Sequence, residues 1–218
     1  MKRKIGLFGG SFDPIHHGHL MLAELCREAL QLDQVRFLVA NISPLKTHQK
    51  TASNRDRIEM IKLAIGGNPY FELDTREIDR GGVSYTLDSV RSIQEELLRK
   101  VEVQTELFLL MGADVLKDIA KWHQPKQLFQ LITPCVISRG GFGEPAWKNL
   151  EPFMSEARFL AAQHLQVTAP QIDISSTNLR SRVRQGQSIR YQVPPSVNAY
   201  ILAQSLYQES AEPSSESE

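Results

Sequence analysis

Apolar residues alternate along the chain between short continuous runs and periodic faces. Ile5–Phe8 is a run that ends in Gly9-Gly10, which reads as a buried strand entering a tight loop. From Gly18 to Leu32, the residues Leu20, Ala23, Leu25, Cys26, Ala29 and Leu30 share one broad face, the spacing of a helix. Val35–Ala40 predicts a second strand, and the polar stretch 41–54, with Pro44, a loop. Arg55–Ile65 predicts a helix closed by Gly66-Gly67-Asn68-Pro69. A short strand follows at Tyr70–Leu73, a turn at Asp79–Ser84 and a helix at Thr86–Arg99, with Thr86 available as its cap. Glu106–Met111 is a strand that runs into Gly112-Ala113-Asp114. Short helices are expected at Val115–Ala120 and Pro125–Leu131, a strand at Thr133–Ser138, a helix at Leu150–Gln163 and an edge strand at Leu165–Thr168. Ser175–Gln185 and Pro195–Leu206 read as the closing helices.

Strands that alternate with helices predict the α/β class. The expected architecture is a Rossmann-like, doubly wound parallel sheet of 3-2-1-4-5 type order, with helices on both faces and a C-terminal helical segment. Residues 1–207 are expected to form one domain, and the Ser-, Glu- and Pro-rich residues 208–218 a disordered acidic tail. In such sheets ligands bind beyond the carboxyl ends of the strands, where the strand order reverses. The loops after strands one and four flank that point, and they carry Gly9–His19 and Gly112–Asp114.

Charge narrows the ligand. The 218 residues hold 25 Lys and Arg against 25 Asp and Glu, and four of the Glu lie in the tail. The body is therefore only mildly basic, which disfavours a polynucleotide partner but not a small phosphate ligand. The two cysteines, Cys26 and Cys135, lie in apolar stretches and read as buried thiols of a cytoplasmic protein. No apolar stretch reaches the ~18 residues of a membrane span, and Ile5–Phe8 is too short for a signal segment. Monomer and homo-oligomer both stay open.

Two segments carry the candidate chemistry. In Gly9-Gly10-Ser11-Phe12-Asp13-Pro14-Ile15-His16-His17-Gly18-His19 the glycines allow backbone N–H groups to approach a phosphate. A helix then opens near His17, and its positive end favours anions. His16 and His19 are three apart and project to one side, as a polyphosphate cradle or, less readily, half of a metal site. The segment lacks the Lys-Ser/Thr of a P-loop and the spaced glycines of the dinucleotide fingerprint. In Ile174-Ser175-Ser176-Thr177-Asn178-Leu179-Arg180, one of the two serines caps a helix whose first N–H groups remain available. Arg180 lies one turn further on, so hydroxyls, helix start and guanidinium together make a second anion site.

With these two segments the chain resembles the nucleotidyltransferase superfamily of the His-x-Gly-His type. Within that superfamily it is most similar to the bacterial nicotinate mononucleotide adenylyltransferases. Ser84-Tyr85-Thr86, Leu110-Met111-Gly112-Ala113-Asp114 with Lys121-Trp122, Ile189–Pro194 and Val197–Ile201 match that subfamily over about residues 3–207. Relatives that act on pantetheine phosphate are shorter and lack the Ser-Tyr-Thr segment. The loop after the second strand departs from the common Pro-Pro-His-Lys, reading Ser43-Pro44-Leu45-Lys46 here.

The resemblance implies attack by the 5′-phosphate of nicotinate mononucleotide on the α-phosphorus of ATP, with Mg²⁺ carried in on the triphosphate and few protein ligands to it. It implies catalytic roles for His16, His19, Lys46 and Arg180. The implied ATP contacts add Gly9, Gly10, Ser11, Phe12, Gly112, Asp114, Ser175, Ser176 and Thr177. Asn41, Lys46, Ser84, Tyr85, Thr86, Trp122 and Arg139 are implied for the nicotinate nucleotide. Two other readings remain: transfer to another small phosphate acceptor, and a nucleotide-sensing module without catalysis.

Overall fold

The computed structural model describes residues 2–44, 52–99, 104–139 and 144–208. Six strands form one sheet: β1 (Arg3–Gly10), β2 (Gln34–Val39), β3 (Phe71–Asp74), β4 (Thr105–Gly112), β5 (Thr133–Arg139) and β6 (Val167–Ala169). Their order is β3-β2-β1-β4-β5-β6 and every neighbouring pair is parallel. The expected 3-2-1-4-5 order is thus extended by the edge strand β6. The order reverses between β1 and β4, so their carboxyl ends border the crevice where a ligand is expected.

The sheet separates two apolar layers because successive strand side chains point to opposite faces. In β4, Phe108 and Leu110 face one layer, while Leu107, Leu109 and Met111 face the other. The first layer is covered by α1 (His17–Leu30), α2 (Asn54–Ile65), α7 (Ser176–Arg184) and α8 (Pro195–Ala203). The second is covered by α4 (Thr86–Arg99), α5 (Pro125–Leu131) and part of α6 (Glu156–His164). Cys26 of α1 and Cys135 of β5 are both buried in the first layer. Contact with the Cys26 thiol, and then burial, push the Cys135 thiol far up from its ordinary pKa.

Two expectations change. The Leu150–Gln163 helix is interrupted: a 3₁₀ turn spans Glu151–Phe153, and α6 starts only at Glu156 after an extended Ser155. Pro152 has no N–H to continue a helix across that point. The segment before Gly81-Gly82 is helical, as α3 (Arg76–Arg80), so the turn is confined to the two glycines, both at positive φ. The short helix expected at Val115–Ala120 is present, wound as a 3₁₀ helix over Ala113–Lys121.

Buried charge holds α4 in place. The Arg36 guanidinium, 4% exposed, lies 3.3 Å from Glu96 of α4 and 3.7 Å from Asp74 of β3. Arg76 of α3 joins the same two carboxylates at 2.8 and 2.7 Å. A buried network in which every charge has a partner fixes geometry more than it adds stability. Here it fixes α4, whose first residue, Thr86, ends the Ser84–Thr86 motif at the crevice.

Candidate active site

Two cavities adjoin at the carboxyl ends of the strands, on either side of Gly9-Gly10-Ser11. The larger, about 610 Å³, is walled by His16, His19, Ser175–Thr177 and Arg180. The smaller, about 280 Å³, is walled by Ser84–Thr86, Gly112 and Trp122.

The β1 loop forms through local contacts. His16 is the N-cap of α1: it is extended, and its Nδ1 accepts the His19 backbone N–H at 3.4 Å. With Nδ1 as acceptor, Nε2 carries the proton in the neutral ring. The His16 and His19 imidazoles stack at 3.6 Å and 21°, so the spacing of three does bring the rings together. Gly18 makes room for this. A Cβ there would sit 3.0 Å from His16 Nδ1 and 3.1 Å from Cε1. Phe12, at φ +48°, turns its ring into the core beneath the loop and meets His19 edge-on at 5.1 Å. Its side chain is only 1% exposed, so the backbone of this residue is the part available to a nucleotide.

The second anion segment docks directly on the first. Ser175 is the cap, accepting the Asn178 N–H at 3.2 Å, while the Ser176 hydroxyl donates to Pro14 O at 2.9 Å. Arg180 donates from Nη1 to Asp13 O at 2.8 Å and from Nη2 to Thr177 Oγ1 at 3.4 Å. Asp13 is fully buried, and its Oδ1 accepts from the Tyr207 hydroxyl at 2.6 Å and from Ala52 N at 3.1 Å. Burial, then the Asp13 carboxylate, raise the Tyr207 phenol well above its usual pKa, so it stays a donor.

The smaller cavity is aromatic. Trp122 lies on its wall, with a buried indole N–H that has no hydrogen-bond partner among the described residues. Tyr85 packs its ring on His123 at 4.4 Å. Thr86 is the first residue of α4 rather than its cap, and the Ser89 N–H returns to Tyr85 O at 3.3 Å. Its own N–H therefore belongs to the helix's opening donors.

Of the expected site residues, Asp114 lies on the larger cavity, whereas Asn41 and Gly112 exchange sides. Asn41 lines the larger cavity and Gly112 the smaller. Asn41 still reaches the other side, since its N–H donates to Ser84 Oγ at 2.8 Å and its Nδ2 to Gly82 O at 2.8 Å. Lys46 lies outside the described residues, as does the side chain of Arg139. Sequence reasoning gave no site role to several polar residues on these walls, among them Arg57, Glu77 and His123. Glu77 is buried and accepts the Ser89 hydroxyl at 2.6 Å, tying α3 to α4. Among the described residues no group of three or more His, Cys, Asp or Glu converges as a metal site. No helix among them is long and apolar enough to cross a membrane.

The Cytidylyltransferase-like family model matches residues 7–182. A protein of Roseiflexus sp. described as "Probable nicotinate-nucleotide adenylyltransferase" is 41% identical over 93% of this chain and 97% of its own length. One of Geobacillus kaustophilus under the same description is 38% identical over 94% of this chain and 86% of its own. In structure the chain is similar to the Plasmodium falciparum nicotinic acid mononucleotide adenylyltransferase complexed with NaAD. The TM-score is 0.69 at 18% identity, covering 94% of this chain and 97% of that one. That likeness shows the fold, with its parallel sheet and reversal of strand order. Sequence identity of about two residues in five over nearly the whole chain places it in the nicotinate-nucleotide adenylyltransferase family.

Proposed function

We propose that the chain transfers the adenylyl group of ATP to the 5′-phosphate of nicotinate mononucleotide. A phosphate oxygen attacks the α-phosphorus, the bond from that phosphorus to the bridging oxygen of the β-phosphate breaks, and pyrophosphate leaves. Nicotinate adenine dinucleotide remains, a step of NAD biosynthesis. One observation carries this reading: a chamber walled by His16, His19, Arg180 and a helix start meets an aromatic one at Gly9-Gly10-Ser11, so two nucleotides can present their phosphates to each other there.

The nucleophile needs no protein base, because the second pKa of a phosphate monoester is about 6. The work is alignment and stabilisation of charge on the transferring and leaving groups. His16 is assigned to the α-phosphate and His19 to the β- and γ-phosphates. Arg180, with Ser176 and Thr177, holds the departing end. Gly9, Gly10 and Ser11 supply backbone donors, and Asp114 serves a ribose hydroxyl. Lys46 is assigned to the incoming phosphates. Mg²⁺ enters as part of the triphosphate substrate. The donors of the larger cavity are mostly cations and N–H groups, which suit phosphate oxygens better than a metal. Residues 1–207 are taken as one catalytic domain in a cytoplasmic, reducing setting, in keeping with the two buried thiols.

Specificity follows from the smaller chamber. The start of α4 at Thr86 offers N–H donors to the pyridine carboxylate, with Trp122 and Tyr85 as stacking faces. A neutral amide would turn its own N–H groups toward those donors. Pyrophosphate release is expected to be strong with nicotinate mononucleotide and weak with nicotinamide mononucleotide, measured in parallel with ATP and Mg²⁺. Equal release would end the carboxylate argument while leaving the transferase. Release only with some other phosphate acceptor would move the chain to a different substrate. ATP binding with no release at all would favour the sensing module.

Gly18→Ala tests the histidine pair without removing either ring. The added methyl presses on His16, and kcat/KM for ATP is expected to fall about tenfold with an unchanged circular dichroism spectrum. A value within about twofold of the parent would mean that the position of the His16 ring does not matter.

A further inference from the structure

We propose that Arg57 is the positioning residue that sets the distance between the two substrate phosphates. The proposal rests on the functional reading above and goes beyond the residues assigned there. Arg57 stands in the first turns of α2, 3% exposed, on the wall of the larger cavity. Its Nη1 donates to Ser11 O at 2.9 Å and to Ala40 O at 2.7 Å. Its Nη2 donates to Asn54 Oδ1 at 2.5 Å and lies 3.5 Å from Asn41 O. One planar group therefore fastens the loop after β1 to the loop after β2.

The fastening continues toward the second substrate. Asn54 donates from Nδ2 to Asn41 Oδ1 at 2.7 Å, and Asn41 in turn donates its N–H to Ser84 Oγ and its Nδ2 to Gly82 O. A single polar chain thus runs from Ser11, beside the ATP chamber, to Ser84, beside the nicotinate chamber. Arg57 and Asn54 also tie the start of α2 to Asn41, and in sequence Lys46 lies between the two. Among the described residues the guanidinium donates only to neutral oxygens, so what the fork supplies is geometry rather than an ion pair. Burial lowers the Arg57 pKa from its ordinary value, a cost the fold carries in order to keep a guanidinium at this spot. In a reaction whose catalysis is alignment, a displacement of about 1 Å between reacting groups costs about 100-fold.

Arg57→Lys keeps the charge and loses the fork. Its kcat per folded protein is expected to fall about 100-fold, with the KM of each substrate and the affinity for a non-hydrolysable ATP analogue within about threefold of the parent. Asn54→Ala, at a half-buried position, removes the link to Asn41 and one acceptor of the guanidinium but leaves the Nη1 bonds to Ser11 O and Ala40 O, and is expected to lower kcat about tenfold with the same split. It gives the answer should the arginine variant not fold. If either folded variant keeps kcat within about twofold, or loses activity only through KM or through the fraction folded, Arg57 is a structural arginine and the proposal is overturned. The parent is assayed first with nicotinate mononucleotide. An inactive parent overturns the functional reading and this proposal with it, whereas an active parent with unimpaired variants overturns this proposal alone.

Discussion

His19→Ala is expected to lower kcat by about 10²–10³-fold while the protein remains folded, the usual size of losing one donor aimed at developing charge. The structure explains why chemistry and fold separate here. The cap of α1 uses the His16 ring and the backbone N–H of His19, so truncating the His19 side chain leaves that hydrogen bond intact. What disappears is an imidazole stacked on His16 and set edge-on against the rings of Phe8 and Phe12. His16→Ala would remove the cap as well as a phosphate donor, and would add a stability loss of about 1 kcal/mol. Comparing the two variants by steady-state kinetics and by denaturant unfolding separates the effects. A His19→Ala enzyme with kcat within about threefold of the parent would remove His19 from the mechanism.

The second large effect is on stability. Phe12→Ala is expected to cost about 3–5 kcal/mol, as for other large-to-small changes at buried aromatic sites. Against a typical total of roughly 5–15 kcal/mol this brings the protein close to unfolding. The ring is 1% exposed and lies 5.7 Å from Phe8, 5.5 Å from Phe37 and 5.1 Å from His19. Alanine does not relieve the left-handed backbone at this residue, since it has a Cβ like any other L residue. Phe12→Leu, which keeps most of the volume, is expected to lose much less. The check is equilibrium unfolding in urea with and without an ATP analogue. A loss below about 1 kcal/mol for Phe12→Ala would mean that the loop is held by its hydrogen bonds rather than by this ring.

The sheet was legible because strands buried on both faces read as unbroken apolar runs. Ile5–Phe8 and Leu107–Met111 are such runs, and they became the two central strands. The Gly9–His19 and Ser175–Arg180 segments were legible because anion sites need small residues, helix starts and cations close together. Less visible was which serine caps α7, since both hydroxyls find oxygen or N–H partners in the fold. The polar core was harder still. Helix α3, Arg76–Arg80, buries a glutamate rather than an apolar face, so hydrophobic periodicity gave no sign of it. Arg57 did leave a signal: it falls in phase with Met60, Ile61 and Ile65 on the buried face of α2. A charge on the apolar stripe of a helix is expensive unless its hydrogen bonds are met, and that conflict marks a place worth inspecting.

Arg180 and Asp13 touch across 167 positions of sequence, and β1 lies at the centre of a sheet whose neighbour β4 comes a hundred residues later. For a chain emerging from the ribosome this separation has a kinetic meaning. Contacts so distant in sequence must await most of the synthesis, and closing them is slow. A nascent chain that has reached β5 holds the glycines and the histidine pair but not the arginine that shuts the triphosphate chamber. A chain truncated or stalled before α7 lacks Arg180 and the Ser175 cap, so the triphosphate chamber stays incomplete until the last helices dock.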